Sequence, residues 1–459
     1  MESQFVNSLW RESTERLGKV RQSLSTDLQC DVVIIGGGYS GLWTAYYLKR
    51  IVPDCRIVIL ESNQIGFGAS GRNGGWCSGF LPVTLGELEK THGRRAAIEM
   101  YRESFRTLDE IETVITDLRI DCDFYRGGTI NGATNLVQKS RVDAEVSEMR
   151  RFGFGEDHYK ILTSDELASR LNINRAIAAS YTPHCAVVHP AKLIHGLAIA
   201  VESLGVKIYE NTNVIEYSER CVKTKDQICS ANIVIRATEG FTSRLKNQRR
   251  TLVPLYSYMV ATEPLNPQQL SSLGWQNRET YHDARNMIIY AQLTKDNRIA
   301  FGGRGAPYHF ASRVKPQYDT HDEIHEKIIR SMHDVFPISR ELDVTHRWGG
   351  PLGVPRNWKP TVNFDPKTGL GSLGGYVGDG VAASNLAART LAHLIVNDKH
   401  PLTALPWVNQ PSRKWEIEPL RYIGINGLLK ISESMDNYEA KNDKPDKIRS
   451  FILEKFLGD

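Results

Sequence analysis

Chemistry first shows in this sequence at a glycine-rich turn answered, farther on, by an acid. Gly36-x-Gly38-x-x-Gly41 follows four apolar residues, Val32 to Ile35, and leads into a helical pattern through Leu42, Ala45 and Leu48. A second apolar stretch, Ile57 to Leu60, ends in Glu61, twenty-five residues after Gly36. Strand, tight turn, helix, strand and acid in this order form a dinucleotide-binding fingerprint. Gly36 permits the turn, Gly38 lets backbone approach a pyrophosphate, and Gly41 lets the helix pack on the strand. Tyr39 and Ser40 open the helix, whose free N–H groups and partial positive charge suit phosphates. Glu61, followed by Ser62, can accept hydrogen bonds from a ribose. The fingerprint alone does not choose between NAD and FAD.

Two further glycine-rich segments narrow the choice. Residues 66–75 read GFGASGRNGG, too rich in glycine to pack a core. They suit a backbone lying against an extended ligand: Gly68, Ala69, Gly74 and Gly75 for close approach, Ser70, Arg72 and Asn73 for polar contact. Residues 374–380, GGYVGDG, feed a helix expected over about 381–396. There Gly378, Asp379, Gly380 and Val381 can aim N–H groups at a developing anion. In these motifs the sequence resembles the D-amino-acid oxidase (DAO) superfamily of FAD-dependent oxidoreductases, and within it the gamma-glutamylputrescine oxidase-like branch, where GFGASGRNGG recurs nearly as it stands.

The resemblance implies a mixed α/β fold, with a Rossmann-like FAD-binding domain interleaved with a mixed-sheet substrate domain. It puts an N-terminal arm at 1–24, the FAD domain at 25–80, 180–250 and 345–410, the substrate domain at 81–179 and 251–344, and a helical tail at 411–459. It brings Val214 to the adenine side, Ala237, Thr238 and Gly240 near the pyrophosphate, and the 378–381 turn to the reduced flavin. The family usually has histidine where Asp379 stands. FAD is expected to be noncovalent: relatives that bond it use a histidine near Asn73 or a late cysteine, and no cysteine follows Cys229.

Composition agrees with a large soluble scaffold. The chain has 459 residues, 41% hydrophobic and 24% charged, with a net charge of +4, which argues against a nucleic-acid binder. It has no apolar run of about eighteen residues, the length of a membrane span. The polar N-terminus fits neither a signal nor a transit peptide. The cysteines, scattered from Cys30 to Cys229 without a C-x-x-C, read as free thiols of a reducing cytoplasm. His321 and His325 lack a third ligand nearby and read as a solvated helix face, so no metal is expected.

The elements between the motifs follow from periodicity. Leu9, Trp10, Leu17 and Val20 offer the arm's apolar contacts. Helices are expected over 85–118, 137–152, 164–171, from about 190 to Gly205, and over 321–336. Glu166 follows Thr163-Ser164 without perfect capping-box spacing. Residues 121–135 read as strand, turn and strand. His189, before proline at a helix start, reads as a cap or packing residue rather than a base. Alternation after Leu252 puts Tyr256, Tyr258 and Val260 on one strand face. Gly349-Gly350 reads as the crossing back to the FAD domain.

Amine oxidation by a flavin requires a neutral amine with its Cα–H at flavin N5, and an apolar, aromatic pocket favours both. The resemblance offers Tyr258 and Trp348 as pocket residues. Arg304 falls where sarcosine oxidases carry an oxygen-activating lysine. Glycine-oxidase-like relatives clamp a substrate carboxylate with an arginine where this chain has Leu352, which favours an amine over a small α-amino acid; Arg356 remains for a longer substrate. The expected reaction is C–N oxidation of a primary or secondary amine, or an amino-acid derivative, by hydride transfer to FAD. Imine release follows, then reoxidation by O2 to give H2O2. The alternatives are a dehydrogenase using another acceptor, a flavin monooxygenase, and a non-catalytic flavoprotein subunit.

Overall fold

The computed structural model describes residues 8–14, 19–303, 305 and 307–457; Leu17 and Arg304 lie outside them. Leu28–Ile35 is the centre of the first sheet, paired in parallel with Ile57–Leu60 on one side and Ile228–Arg236 on the other. Lys207–Tyr209 extends it past Ile57–Leu60, and Leu370–Gly374 extends it past Ile228–Arg236, both in parallel. Val32 and Ile34 pack in one apolar cluster, Val33 and Ile35 in another. A strand covered on both faces has no polar side, which is why its buried end, Val32 to Ile35, is an unbroken apolar run. The helix Tyr39–Ile51 covers one face together with Gly380–Val396.

The second sheet has eight strands and is mixed. Its spatial order is Val344–Val354, Val253–Thr262, Ile299–Gly303, Ile289–Leu293, Thr280–Asp283, Thr129–Ala133, Ala178–Thr182 and Lys160–Ile161. Thr280–Asp283 runs parallel to Thr129–Ala133; its other neighbour is antiparallel. Trp76–Ser78 pairs with Cys185–Val187 in a small ribbon between the two halves.

Several expectations need correction. The helix over 85–118 is two helices, Leu85–His92 and Arg94–Asp117, broken at Gly93 with φ +83°. Residues 121–135 give one strand, Thr129–Ala133, because Tyr125 makes only an isolated bridge to Val187. Thr163 is itself the cap of Ser164–Ala168, so Glu166 stands at the third helical position and the capping box closes. Leu9 and Trp10 are buried, but Val20 is 92% exposed. His321 only precedes the helix Asp322–Val335, and His325 is fully buried, with its ring edge-on to Tyr258. That face is core, not solvent. Val344–Val354 stays paired with Val253–Thr262 throughout, so the chain returns to the first sheet only at Thr361–Asp365.

All seven cysteines are free thiols. Among the described residues no metal-ligand cluster occurs, and no helix is long and apolar enough to cross a membrane.

Candidate active site

A narrow cleft of about 110 Å³ lies at the C-terminal ends of the first sheet's strands. It is lined by 36–40, 60–62, 66–70, 212–214 and 237–241. Gly36 is at φ +109°, and a Cβ there would meet the Ala237 carbonyl oxygen at 2.4 Å, so only glycine lets the first turn pass the third strand. A Cβ on Gly41 would meet the Gly36 carbonyl at 2.1 Å; this glycine serves helix packing. Glu61 holds the turn from the second strand: its carboxylate accepts from the N–H groups of Gly37 and Asn63, each at 2.8 Å. Burial pushes the Glu61 carboxyl up, and these donors oppose the rise. Tyr39–Ile51 starts with no side-chain cap and no acid in its first turn, which leaves its N-terminus open to an anion. The Tyr39 N–H donates to Ser70 Oγ at 3.0 Å, tying the second glycine segment to the first.

A wider cavity of about 320 Å³ continues from this cleft, with Ala69 in the wall of both. Asn73, Gly74, Gly350, Leu352, Gly378, Asp379 and Val381 line it, facing Trp76, Tyr101, Tyr159, His282 and Tyr290. Asn73 braces its own loop: Nδ2 donates to the carbonyls of Ala69 and Ser70, and Oδ1 accepts from the Gly75 N–H. Arg72 lines the cavity too, but its guanidinium is paired with Asp319 at 2.7 Å. Gly75 lies behind the wall, where a Cβ would meet Gln292 Nε2 at 2.0 Å. Asp379 caps Gly380–Val396 without a side-chain cap bond.

The proposed pocket aromatics are elsewhere. Tyr258 and Trp348 are both 0% exposed, and neither is in the wall of either cavity. The Tyr258 hydroxyl donates to the Tyr318 carbonyl at 2.7 Å and the Trp348 indole to the Arg72 carbonyl at 2.9 Å. Arg356 pairs with Glu416 away from the cavity. His189 caps its helix by accepting from the Lys192 N–H.

Four residues with a place in the site were not singled out from the sequence. Glu239 lines the narrow cleft at φ +38° and accepts from the N–H groups of Gly375 (2.7 Å) and Tyr376 (3.2 Å). Burial pushes its carboxyl up to about 7. His282 is driven down to about 4 by burial and is neutral at pH 7. Glu145 and Glu148 stand in the wall of the wide cavity. For Glu239 the only sequence signal was its place in the small-residue turn after a buried strand.

The comparisons with known proteins decide the family. Residues 31–394 match DAO, FAD dependent oxidoreductase. This chain belongs to the DAO family. FAD is therefore its cofactor, and the open helix N-terminus, the uncapped 378–380 turn and the two joined cavities fit an extended dinucleotide. The DAO-family chain is 27% identical over 398 residues to the probable oxidoreductase OrdL of Haemophilus influenzae, covering 83% of this chain and 86% of that protein. It is 27% identical over 386 residues to gamma-glutamylputrescine oxidoreductase of Escherichia coli, covering 82% and 86%. Glycine oxidase from Geobacillus kaustophilus superposes with a TM-score of 0.70 at 20% identity, over 84% of this chain and all (100%) of the other.

Proposed function

We propose that this protein oxidises the C–N bond of a primary or secondary amine, or of an amino-acid derivative, to an imine that water hydrolyses to a carbonyl. O2 is the final electron acceptor and H2O2 the second product. Bound FAD supplies the acceptor for the hydrogen and electron pair removed from the carbon beside nitrogen. In this reading the 36–41 turn, Glu61, Ser62, Val214 and residues 237–240 hold the nucleotide noncovalently, and Gly74 with 378–381 holds the redox end. Arg304 falls outside the described residues.

The observation that carries the reading is the charge of the cavity wall. Among the described residues lining it, Arg72 is the sole lysine or arginine, and it is already engaged by Asp319 and by the carbonyls of Phe67 and Gly349. Among the described residues a small α-amino acid would find no cation set aside for its carboxylate. Trp76 and Tyr290, beside Gly74, instead exclude water, which disfavours the ammonium form of the amine that must react. His282, held neutral by burial, adds no positive charge to this wall. The name of the Escherichia coli relative supports an amine as the substrate class.

The test is an anaerobic visible spectrum of the purified protein, titrated with amines and amino acids before air is admitted. Bleaching by an amine, then colour recovery in air with stoichiometric peroxide, is the expected result. Bleaching without recovery in air would replace O2 by another acceptor. A flavin that no amine bleaches would end the reading.

A further inference from the structure

The far end of the wide cavity carries negative charge with nothing opposite it. Glu145 and Glu148, one turn apart on Leu136–Arg151, both line it. Neither forms an ion pair among the described residues, and the nearby cations are engaged elsewhere: Arg141 with Glu439, Lys139 with Asp143, Arg151 with Glu89. Glu148 accepts from the Gly86 N–H at 3.0 Å. Glu145 accepts from Asn131 Nδ2 at 2.9 Å and from the Tyr159 hydroxyl.

A second observation gives the chemistry that is missing. Asn131 is 4% exposed, and its Oδ1 has no hydrogen-bond partner. It shares a face of Thr129–Ala133 with Thr129, which lines the cavity. Carboxylate and orphan carbonyl oxygen are both acceptors. An alkylammonium brings three donors and the opposite charge, and the Tyr101 and Tyr159 rings on the same wall suit a cation. Desolvation without a counter-ion pushes the Glu145 carboxyl up; a bound ammonium would reverse that shift.

We propose that the Glu145 end of the cavity binds a second ammonium group of the substrate, remote from the C–N bond that is oxidised, so that the substrate is a diamine or a longer ω-ammonium amine. The inference rests on the amine-oxidising reading above. The reacting nitrogen loses its proton among the rings near Gly74 and Gly378, while the remote one keeps its charge against Glu145. A monoamine of the same length leaves the buried carboxylate unpaired, and a remote carboxylate meets a like charge.

The holoenzyme is tested with 1,4-diaminobutane, butylamine and 4-aminobutanoate, by anaerobic bleaching and by steady-state rates. The diamine's kcat/KM should exceed butylamine's by about tenfold or more, chiefly through KM, the effect of one charge-assisted hydrogen bond. Glu145→Gln should bring that ratio to within about twofold of unity, because the amide keeps the shape and loses the charge. If the variant does not fold, the wild-type ratio decides by itself. Equal rates, a preference for butylamine or 4-aminobutanoate, or an unchanged ratio in Glu145→Gln would overturn the inference while leaving amine oxidation standing. If no amine bleaches the flavin, both fall together.

Discussion

Arg72 and Asp319 form an ion pair of 2.7 Å between the second glycine segment and the substrate half, with side chains 8% and 5% exposed. The same guanidinium donates to the carbonyls of Phe67 and Gly349, at 2.7 and 3.2 Å. One residue thus fixes the loop to itself and to the other sheet. Asp319→Ala should leave a buried cation without a partner and cost about 3–5 kcal/mol in urea unfolding. Replacing both partners with apolar residues should recover much of that loss. The deficit of the single variant should change little with salt, because the pair is shielded from screening ions.

Gly36→Ala tests the first turn. The added methyl would meet the Ala237 carbonyl at 2.4 Å, in a backbone conformation that disfavours alanine. The strain, of about 1–3 kcal/mol, falls where the dinucleotide is held. FAD affinity should drop by about tenfold or more, read by flavin fluorescence as the cofactor dissociates on dilution.

Glu239 predicts a pH effect with a definite sign. Its carboxyl titrates at about 7 in the folded protein against an ordinary 4.5. The folded state therefore binds more protons than the unfolded state between those values. The stabilising contribution is complete below 4.5 and is lost as pH rises through 7. Comparing wild type with Glu239→Gln, the wild type should lose up to about 3 kcal/mol relative to the variant between pH 4.5 and 7.5. A difference that is flat with pH in urea titrations would show that the proton is not held there.

Asp436 predicts a role for the helix Leu420–Asn442 of the tail. Its carboxylate accepts from the N–H of Asn286, the side-chain amide of Asn286 and the N–H of Met287, at 2.7, 2.8 and 2.7 Å. These hold the 284–288 loop, whose Ile288 lines the wide cavity. Asp436→Ala should raise amide exchange at 286–288 and raise KM severalfold, with FAD content retained. An unchanged KM would make the tail a packing arm only.

What the sequence made legible was local. Gly36, Gly38, Gly41 and Glu61 announce themselves because one turn and its adjoining strand bring them together, and the 66–75 and 374–380 segments are likewise self-contained. Glu239, Glu145 and His282 were not legible, because their surroundings come from strands and helices far away in the chain. Alternation did place Tyr256, Tyr258 and Val260 together in one cluster. It did not separate cavity wall from core, since both faces of that strand are covered, as Met259 in a different cluster shows. His325 was misread for a related reason: its spacing from His321 suggested one exposed face, while the helix begins only after His321.

The order of strands in the first sheet has a consequence for biosynthesis. Leu28–Ile35 leaves the ribosome early, yet one of its flanking strands is Ile228–Arg236, and Leu370–Gly374 completes that side. The 66–75 segment likewise awaits Gln292, Asp319 and Gly349. A nascent chain therefore leaves one edge of this buried strand unpaired until residues 228–236 have been made, and this long-range pairing makes closure slow. The cavity that meets the cofactor is complete only once residues 378–381, more than four-fifths of the way along the chain, have been made.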